Sequence, residues 1–436
     1  MRQQYEPSAD RIIALYQQLE DDILSAVIRR ILKMGYVSEA SKHQLEVLQA
    51  AGLLYDDIVQ LIADRTDACT AQVKALFEDA GVQTVAIDNS LHEAAGALPI
   101  DIRQDSSTRQ VLEAGYKKTL GTMRNLVSTT ATQTQTAFIQ TCDRIYMQVS
   151  SGAFSYQEAI MNALRALADT GAEVVYPTKH KDRMDVAVRR CVLTGVSQTA
   201  AAVSLRQAED AGCYLMEITA HSGARPDHAK WQGQLVTITG KDAGKIIDGL
   251  RVFTLSEIGY GSGEGFKGWN CRHNWHAYYP GFSTPNYTQE ELKKLDEPCI
   301  SYNGKLYTEY EVSQMQRAQE RRVRAWKRRC ITAQESVNSA TDEATRATAQ
   351  AEFDRSARYL KANEAKLKDF CRQTGQDRDR FREQVLGFGR SEAQKAVHAA
   401  KRQEHALKGN YSVNFEKASG TKEITPQLAK EFSDEY

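Results

Sequence analysis

The sequence predicts a mostly α-helical protein with one small α+β domain in its middle. Before about residue 211, apolar residues recur at spacings of three and four, which is typical of amphipathic helices. Between about residues 212 and 282, glycine and aromatic residues concentrate, and short alternating stretches indicate strands. From Tyr310 to Thr374 the chain contains neither proline nor glycine, which favours long helices.

Length and composition are those of an ordinary globular chain. It has 436 residues, 42% hydrophobic and 26% charged, so two or three domains with at least one sizeable core are expected. The 56 basic and 56 acidic residues balance. This balance excludes an overall electrostatic attraction to nucleic acid or membranes, although local patches remain compatible with it.

Residues 1–180 are predicted to form a long helical bundle, packed on itself or against a partner. The first helix ends at Gly35 and has an apolar face made of Ile12, Tyr16, Leu19, Ile23 and Val27. Separate helices are expected over residues 38–51 and around residues 54–62. Leu98-Pro99 marks a break before the next long helical pattern.

Residues 181–299 are predicted to form the α+β domain together with its leading helix. That helix covers about residues 181–212 and has valine and alanine at helical spacing. Strands are expected at residues 214–219 and 234–239. The compact part of this domain, up to Phe282, spans about 70 residues.

Residues 300–385 are predicted to contain a small hairpin followed by long helices. Asn303-Gly304 is a typical two-residue turn sequence between short apolar stretches. Phe353, Leu360 and Leu367 then recur seven apart, as in a coiled-coil seam or a helical hairpin. Residues 386–436 are polar and mixed, and we expect this tail to be partly disordered.

The cysteines and the hydropathy pattern predict a soluble protein made in a cytoplasm. The eight cysteines are scattered and form no Cys-x-x-Cys pair, so reduced thiols are expected. The first residues lack the apolar run of a signal peptide, and no stretch has the length and apolarity of a membrane helix.

Two histidines and a Cys-x-His pair form the most informative constellation. The candidate ligands of a zinc ion are His221, His228, Cys271 and His273. The Cys-x-His spacing is tighter than in common zinc motifs, so we favour a buried hydrogen-bond network over a metal. A third interpretation makes Cys271 a nucleophile with a histidine base, although no orienting third group is evident.

The glycine run that starts at Gly259 does not predict a nucleotide site. No Lys-Ser/Thr pair follows to reach phosphates, and Phe266-Lys267-Gly268 is a poor helix start. A conformationally special loop that presents Trp269 and Cys271 is the simpler interpretation.

Two ordered blocks carry a resemblance to a known family. The first runs from His221-Ser222-Gly223-Ala224-Arg225-Pro226 to Trp231-Gln232-Gly233, and the second from Gly259-Tyr260-Gly261 to Asn270-Cys271-Arg272-His273. They resemble the phage minor capsid protein 2 family, within the wider group of Mu-F-like head morphogenesis proteins. The matching motif residues are His221, Gly223, Arg225, Pro226, Asp227, His228, Trp231, Gly233, Gly259, Gly261, Gly263, Trp269, Asn270, Cys271, Arg272 and His273.

The resemblance implies a virion protein present in few copies at the portal vertex, acting in head assembly and in genome packaging or ejection. Its expected partners are the portal protein and other capsid proteins. A structural protein and not an enzyme is therefore expected. The alternative is a hydrolase or transferase that uses Cys271 and the histidines.

A basic stretch predicts one more binding surface. Its residues are Arg321, Arg322, Arg324, Lys327, Arg328 and Arg329. They could contact the phosphates of packaged DNA or an acidic face of the portal. The alternative is a solvated helix whose arginines pair with neighbouring acids.

Overall fold

The computed structural model describes residues 6–35, 39–102, 104–176, 178–385 and 387–402. Most of the predicted polar tail, residues 403–436, lies outside the described residues. Among the helices of the described residues, none is long and apolar enough to cross a membrane.

Long helices form the first part of the chain, as predicted. They are α1 (Glu6–Met34), α2 (Ala40–Ala94), α3 (Ser106–Ser150), α4 (Tyr156–Thr170) and α5 (Met184–Asp210). The apolar face predicted for α1 is buried throughout, from Ile12 to Val27, against α2 and α5. Leu98-Pro99 lies in the break between α2 and α3.

The prediction of separate helices over residues 38–51 and 54–62 is wrong, because α2 runs through Gly52 as one helix of 55 residues. Glycine costs an exposed helix only about 1 kcal/mol. Val47, Ala51, Leu54 and Ile58 recur at helical spacing and are buried on both sides of Gly52. Their continuous burial holds the helix together across this position.

Local caps explain where several helices begin. Asp105 accepts hydrogen bonds from the backbone N–H groups of Ser107 and Thr108 at the start of α3. Ser155 and Glu158 form a reciprocal capping box at the start of α4.

Between α4 and α5 the chain forms an antiparallel hairpin of β1 (Glu173–Val175) and β2 (Lys181–Arg183), so the domain boundary predicted at residue 180 falls inside a hairpin.

The central unit is a five-stranded sheet packed beside α5. Its elements are β3 (Leu215–Ile218), the short helix α6 (Pro226–Ala229), β4 (Leu235–Thr237), β5 (Ile246–Ile247), β6 (Leu250–Thr254) and β7 (Trp275–Ala277). The strand order is β5-β6-β4-β3-β7, and β4 and β6 are parallel. This arrangement confirms the small α+β part of the predicted fold class.

The last described region is a helical hairpin. After α7 (Gln289–Leu295), β8 (Ile300–Tyr302) and β9 (Lys305–Tyr307) pair across the predicted Asn303-Gly304 turn, where both residues have positive φ. Helices α8 (Glu309–Ser339) and α9 (Glu343–Thr374) then pack along each other, with Trp326 stacked on Tyr359. Residues 390–402 are also helical, and they bury Ala396 and Ala399 in the core of this hairpin.

Candidate functional site

The sheet topology brings the two motif blocks together. The first block follows β3 and carries α6, and the second ends directly before β7. Ile218 at the end of β3 pairs with Trp275 at the start of β7. Thr219 and Asn274 extend this pairing by hydrogen bonds, so Cys271 and His273 lie beside the segment that follows β3.

Three of the four predicted ligands form a tight, buried cluster. The ligand atoms of His228, Cys271 and His273 all lie within 4.8 Å of one another. The Nδ1 atoms of His228 and His273 are 3.4 Å apart, and Sγ of Cys271 is 3.6 Å from Nδ1 of His273. Residues more than forty positions apart in the sequence therefore direct their donor atoms toward one point.

The outer ring nitrogens of this cluster face hydrogen-bond partners. Nε2 of His273 lies 3.2 Å from Oε1 of Gln232. Nε2 of His228 lies 2.7 Å from the carbonyl oxygen of Glu264 and 2.8 Å from Nη2 of Arg225, which also donates to that carbonyl. One ring nitrogen can serve only one of these two groups, because the carbonyl requires a donor and the guanidinium an acceptor.

His221 lies next to the cluster without joining it. Its ring centroid is 4.4 Å from that of His273, and its Nδ1 is 2.8 Å from the carbonyl oxygen of Ser222. That contact makes Nδ1 the protonated nitrogen and leaves a lone pair on Nε2. Nε2 is buried and finds no hydrogen-bond partner among the described residues.

Aromatic packing fixes the positions of the histidine rings. Trp231 is buried with its ring centroid 4.4 Å from that of His228 and 4.8 Å from that of His273. Phe266 packs edge-on against Trp231, with ring centroids 5.7 Å apart. Trp269 differs, since its side chain is 53% exposed and lies near the guanidinium of Arg190. The glycine-rich loop thus exposes Trp269 but buries Cys271, so the expectation that it presents both side chains holds only for Trp269.

The remaining motif residues shape the two segments. Gly265 and Gly268 lie so close to the backbone of Gly259 and Ser262 that an added Cβ would collide with a carbonyl oxygen. The glycine-rich loop is therefore folded tightly onto itself. Pro226 is the first residue of α6, Asp227 lies 3.8 Å from Nε of Arg225, and Arg272 is exposed. Positive φ angles occur at Gly223, Gly233, Gly259, Gly261 and Asn270, and Gly263 packs against the ring of Trp269.

Burial dominates the electrostatics of the cluster. It lowers the pKa of His273 to about 2 and also lowers the pKa values of His221 and His228. Burial raises the pKa of the Cys271 thiol, although the charge of Lys267 acts in the opposite direction. The imidazoles are therefore neutral and the thiol protonated near pH 7, the reverse of what an activated cysteine nucleophile requires.

A cavity of about 210 Å³ opens beside the cluster. His221, His228 and His273 line one side, and residues of α8 line the other. Three guanidinium groups, those of Arg225, Arg272 and Arg317, also border it.

The structure divides the basic stretch between the interior and the surface. Arg324 and Arg328 point inward to Asp185, at 3.2 and 3.8 Å, and Asp185 is only 2% exposed. Arg329 binds the carboxylate of Asp169 through two hydrogen bonds, and Lys327 donates to the carbonyl oxygen of Glu383. Only Arg321 and Arg322 of the predicted set are exposed, so the hypothesis of a basic surface now depends on these two.

Sequence reasoning did not single out Asp185, Lys267 or Glu264. Asp185 precedes Val188, Val192 and Val196 at spacings of three and four, so it lies on the apolar face of α5. A carboxylate on an apolar face indicates a buried ion pair, and this pattern could have revealed it. The carbonyl oxygen of Glu264 contacts His228, and the charge of Lys267 acts on the Cys271 thiol. Both contacts depend on how the loop folds, which no sequence pattern predicts.

Comparisons with known proteins agree with the motif resemblance. The family described as Phage minor capsid protein 2 matches residues 2–372. A structural protein of Lactococcus phage LL-H is 23% identical over 343 residues, covering 76% of this chain and 88% of that protein. A structural protein of Lactococcus phage mv4 is 36% identical over 86 residues, covering 20% of this chain and 61% of that protein. No solved structure matches the chain.

Proposed function

This chain belongs to the phage minor capsid protein 2 family, and on that premise we propose that it occupies the portal vertex in few copies. It is a structural protein of a phage virion. Its proposed tasks are head morphogenesis and genome packaging or ejection. The portal protein and other capsid proteins are the proposed partners.

The observation that carries this proposal is the extent of the family match. Residues 2–372 include the long helices, the central sheet and nearly all of the C-terminal hairpin. The similarity therefore concerns a whole architecture and not one short motif. A role in virion assembly is the simplest explanation for a family match that covers the whole architecture.

Helix α2 supports a role in protein contacts. With 55 residues it extends over about 80 Å, since each helical residue rises 1.5 Å. Leu45, Leu48 and Leu53 are each more than half exposed along its first half. Exposed apolar side chains that cluster on one element are typical of surfaces that other proteins cover.

We infer that the protein does not act as a Cys271-dependent hydrolase or transferase. Cys271 is 3% exposed and burial raises its pKa, so the reactive thiolate is disfavoured. If this inference is correct, Cys271→Ser leaves any hydrolytic activity of purified virions unchanged. Loss of such an activity in a variant that keeps the zinc content and the circular dichroism spectrum of the wild type would instead support the enzyme alternative.

The test of the proposed location is quantitative mass spectrometry of purified virions, with peptide amounts normalised to the portal protein and to the major capsid protein. We expect one to about a dozen copies per particle, retained after the tails are removed. Cross-linking before digestion should join peptides of α2 to portal peptides.

Two results would overturn the proposal. Absence from virions despite synthesis during infection would contradict a structural role altogether. Copy numbers that scale with the major capsid protein would place the chain across the shell and not at one vertex.

A further inference from the structure

We propose that His228, His273, Cys271 and His221 bind one zinc ion that ties the segment after β3 to the segment before β7. The site lies entirely within the central unit, and the proposal is independent of where in the virion the protein resides. Imidazole nitrogen and thiolate sulfur are the ligands that zinc prefers.

The distances between donor atoms fit a tetrahedral zinc ion. Bonds of about 2.0 Å to nitrogen and about 2.3 Å to sulfur, at tetrahedral angles, place two nitrogens about 3.3 Å apart and a nitrogen and a sulfur about 3.5 Å apart. The observed separations are 3.4 Å between the two Nδ1 atoms and 3.6 Å between Sγ of Cys271 and Nδ1 of His273. These two separations fit one ion, and the third pair, Sγ of Cys271 and His228, lies within 4.8 Å.

A hydrogen-bond network explains the same distances less well. A good hydrogen bond between nitrogen atoms is shorter than the 3.4 Å that separates the two Nδ1 atoms. The shorter contacts of these rings are on the opposite side, at the Nε2 atoms. The distance between the two Nδ1 atoms thus fits a bound ion better than a hydrogen bond between the two rings.

The outer hydrogen bonds fit the ring tautomer that a metal needs if Arg225 donates to the carbonyl oxygen of Glu264 and not to the ring of His228. The carbonyl oxygen of Glu264 and Oε1 of Gln232 are acceptors, so protons on both Nε2 atoms satisfy them. Each Nδ1 atom then has its lone pair directed inward. Metal-binding histidines usually donate their other ring N–H to a carbonyl or carboxylate, and these two contacts have that form.

His221 is the proposed fourth ligand, and its ring must shift toward the ion to join the three donor atoms, because it lies outside their 4.8 Å group. Its Nδ1 is engaged with Ser222, and its buried Nε2 finds no hydrogen-bond partner among the described residues. The ring lies against that of His273, on the border of the same cluster. Four protein ligands leave no position for water, so the site is structural and not catalytic.

The experiment measures the zinc content of the full-length chain after dialysis against metal-free buffer. One zinc per chain is expected for the wild type and for Cys213→Ser, a matched control. Cys213 is equally buried in the core of the central unit but lies outside the cluster. Cys271→Ser should lose at least ten-fold in zinc affinity. A wild-type chain that takes up no zinc from micromolar solutions would overturn the proposal, whatever the variants do.

Cobalt replacement tests the ligand set without relying on the folding of any variant. Co²⁺ bound to the zinc-depleted wild type should show the intense visible bands of a tetrahedral ion and a thiolate-to-cobalt band in the near ultraviolet. Weak octahedral bands without thiolate absorption would contradict the assignment. His221→Gln should alter the visible bands and weaken zinc binding at least ten-fold, and an unchanged spectrum would remove His221 from the site.

Discussion

At the first turn of α5, Asp185 is buried among arginines, whereas near the other end of the same helix Ser204 is bonded to Asp88 of α2. Asp185 lies 3.2 Å from Arg324 and 3.8 Å from Arg328, which both come from α8. Asp88 receives a 2.6 Å hydrogen bond from the Ser204 hydroxyl. Both carboxyl groups are 2% exposed.

Equal burial leads to opposite pKa shifts at these two positions. Burial by itself would raise the pKa of Asp185, but Arg324, Arg328 and Arg183 lower it below its ordinary value. Burial raises the pKa of Asp88 to about 6, because the Ser204 hydroxyl and more distant cations compensate only in part. The neighbours of a buried carboxyl group, and not its depth, thus decide whether it is charged in the folded protein.

Removing the paired carboxylate should have the largest effect. Asp185→Ala leaves the buried guanidiniums of Arg324 and Arg328 without their counter-charge, and such a loss costs about 3–5 kcal/mol of folding free energy. The midpoint of urea unfolding measures it. Asp169→Ala is the control, because its pair with Arg329 is partly exposed and should contribute less than about 1 kcal/mol. Equal losses in the two variants would contradict the comparison.

Neutralising the other carboxyl group should stabilise the protein. Asp88→Asn removes a buried charge while its side-chain oxygen can still accept from Ser204, and the gain should be on the order of 2 to 3 kcal/mol at pH 7.5. The pKa of Asp88 is about 6 in the folded protein, above its ordinary value of 3.8. Wild-type stability therefore falls as the pH rises through this window, and the advantage of the variant should vanish below about pH 4.

Unfolding midpoints of both proteins at pH 4 and pH 7.5 test this expectation. A destabilised Asp88→Asn at pH 7.5 would mean that the carboxylate is favourably charged in place. The comparison between the two ends of α5 would then be wrong.

The hydroxyl of Ser204 should have a smaller effect that depends on its partner. Ser204→Ala removes the donor to Asp88 and should cost about 1–2 kcal/mol at pH 7.5, since hydrogen bonds to charged groups are the stronger ones. In the Asp88→Asn background the loss should shrink to about 1 kcal/mol or less. Identical losses in both backgrounds would show that Ser204 contributes through packing alone.

The outer face of α8 should contribute least to stability. Arg321 and Arg322 are exposed, so changing both to alanine should alter the free energy of unfolding by less than about 0.5 kcal/mol. If these residues contact packaged DNA, the double variant should reduce the salt dependence of DNA binding by about 2 in the log–log slope. An unchanged slope would assign this face to a protein partner or to solvent.

Local sequence rules predicted much of this fold. The spacing of Ile12, Tyr16 and Leu19 identified the buried face of α1, and Asn303-Gly304 identified the hairpin turn. The two motif blocks identified the residues that meet beside β7. The helix face and the turn depend on contacts within a few residues, and the motif blocks are recognised by their order along the chain.

Only the tertiary structure decided how the charged and ligating residues are used. Six basic residues of one helix looked alike in sequence, and Arg321 and Arg328, seven residues apart, lie on nearly the same face of α8. Arg328 is nevertheless buried against Asp185 with Arg324, whereas Arg321 and Arg322 are exposed, so the elements packed beside each turn decide the difference. His228 and His273 meet because β3 and β7 are neighbours in the sheet, although 45 residues separate them. Helical spacing and motif order are properties of neighbouring residues along the chain, so the sequence shows them directly. The partners of a buried charge or a lone pair are set by packing between distant segments, and one sequence does not specify that packing through any local rule.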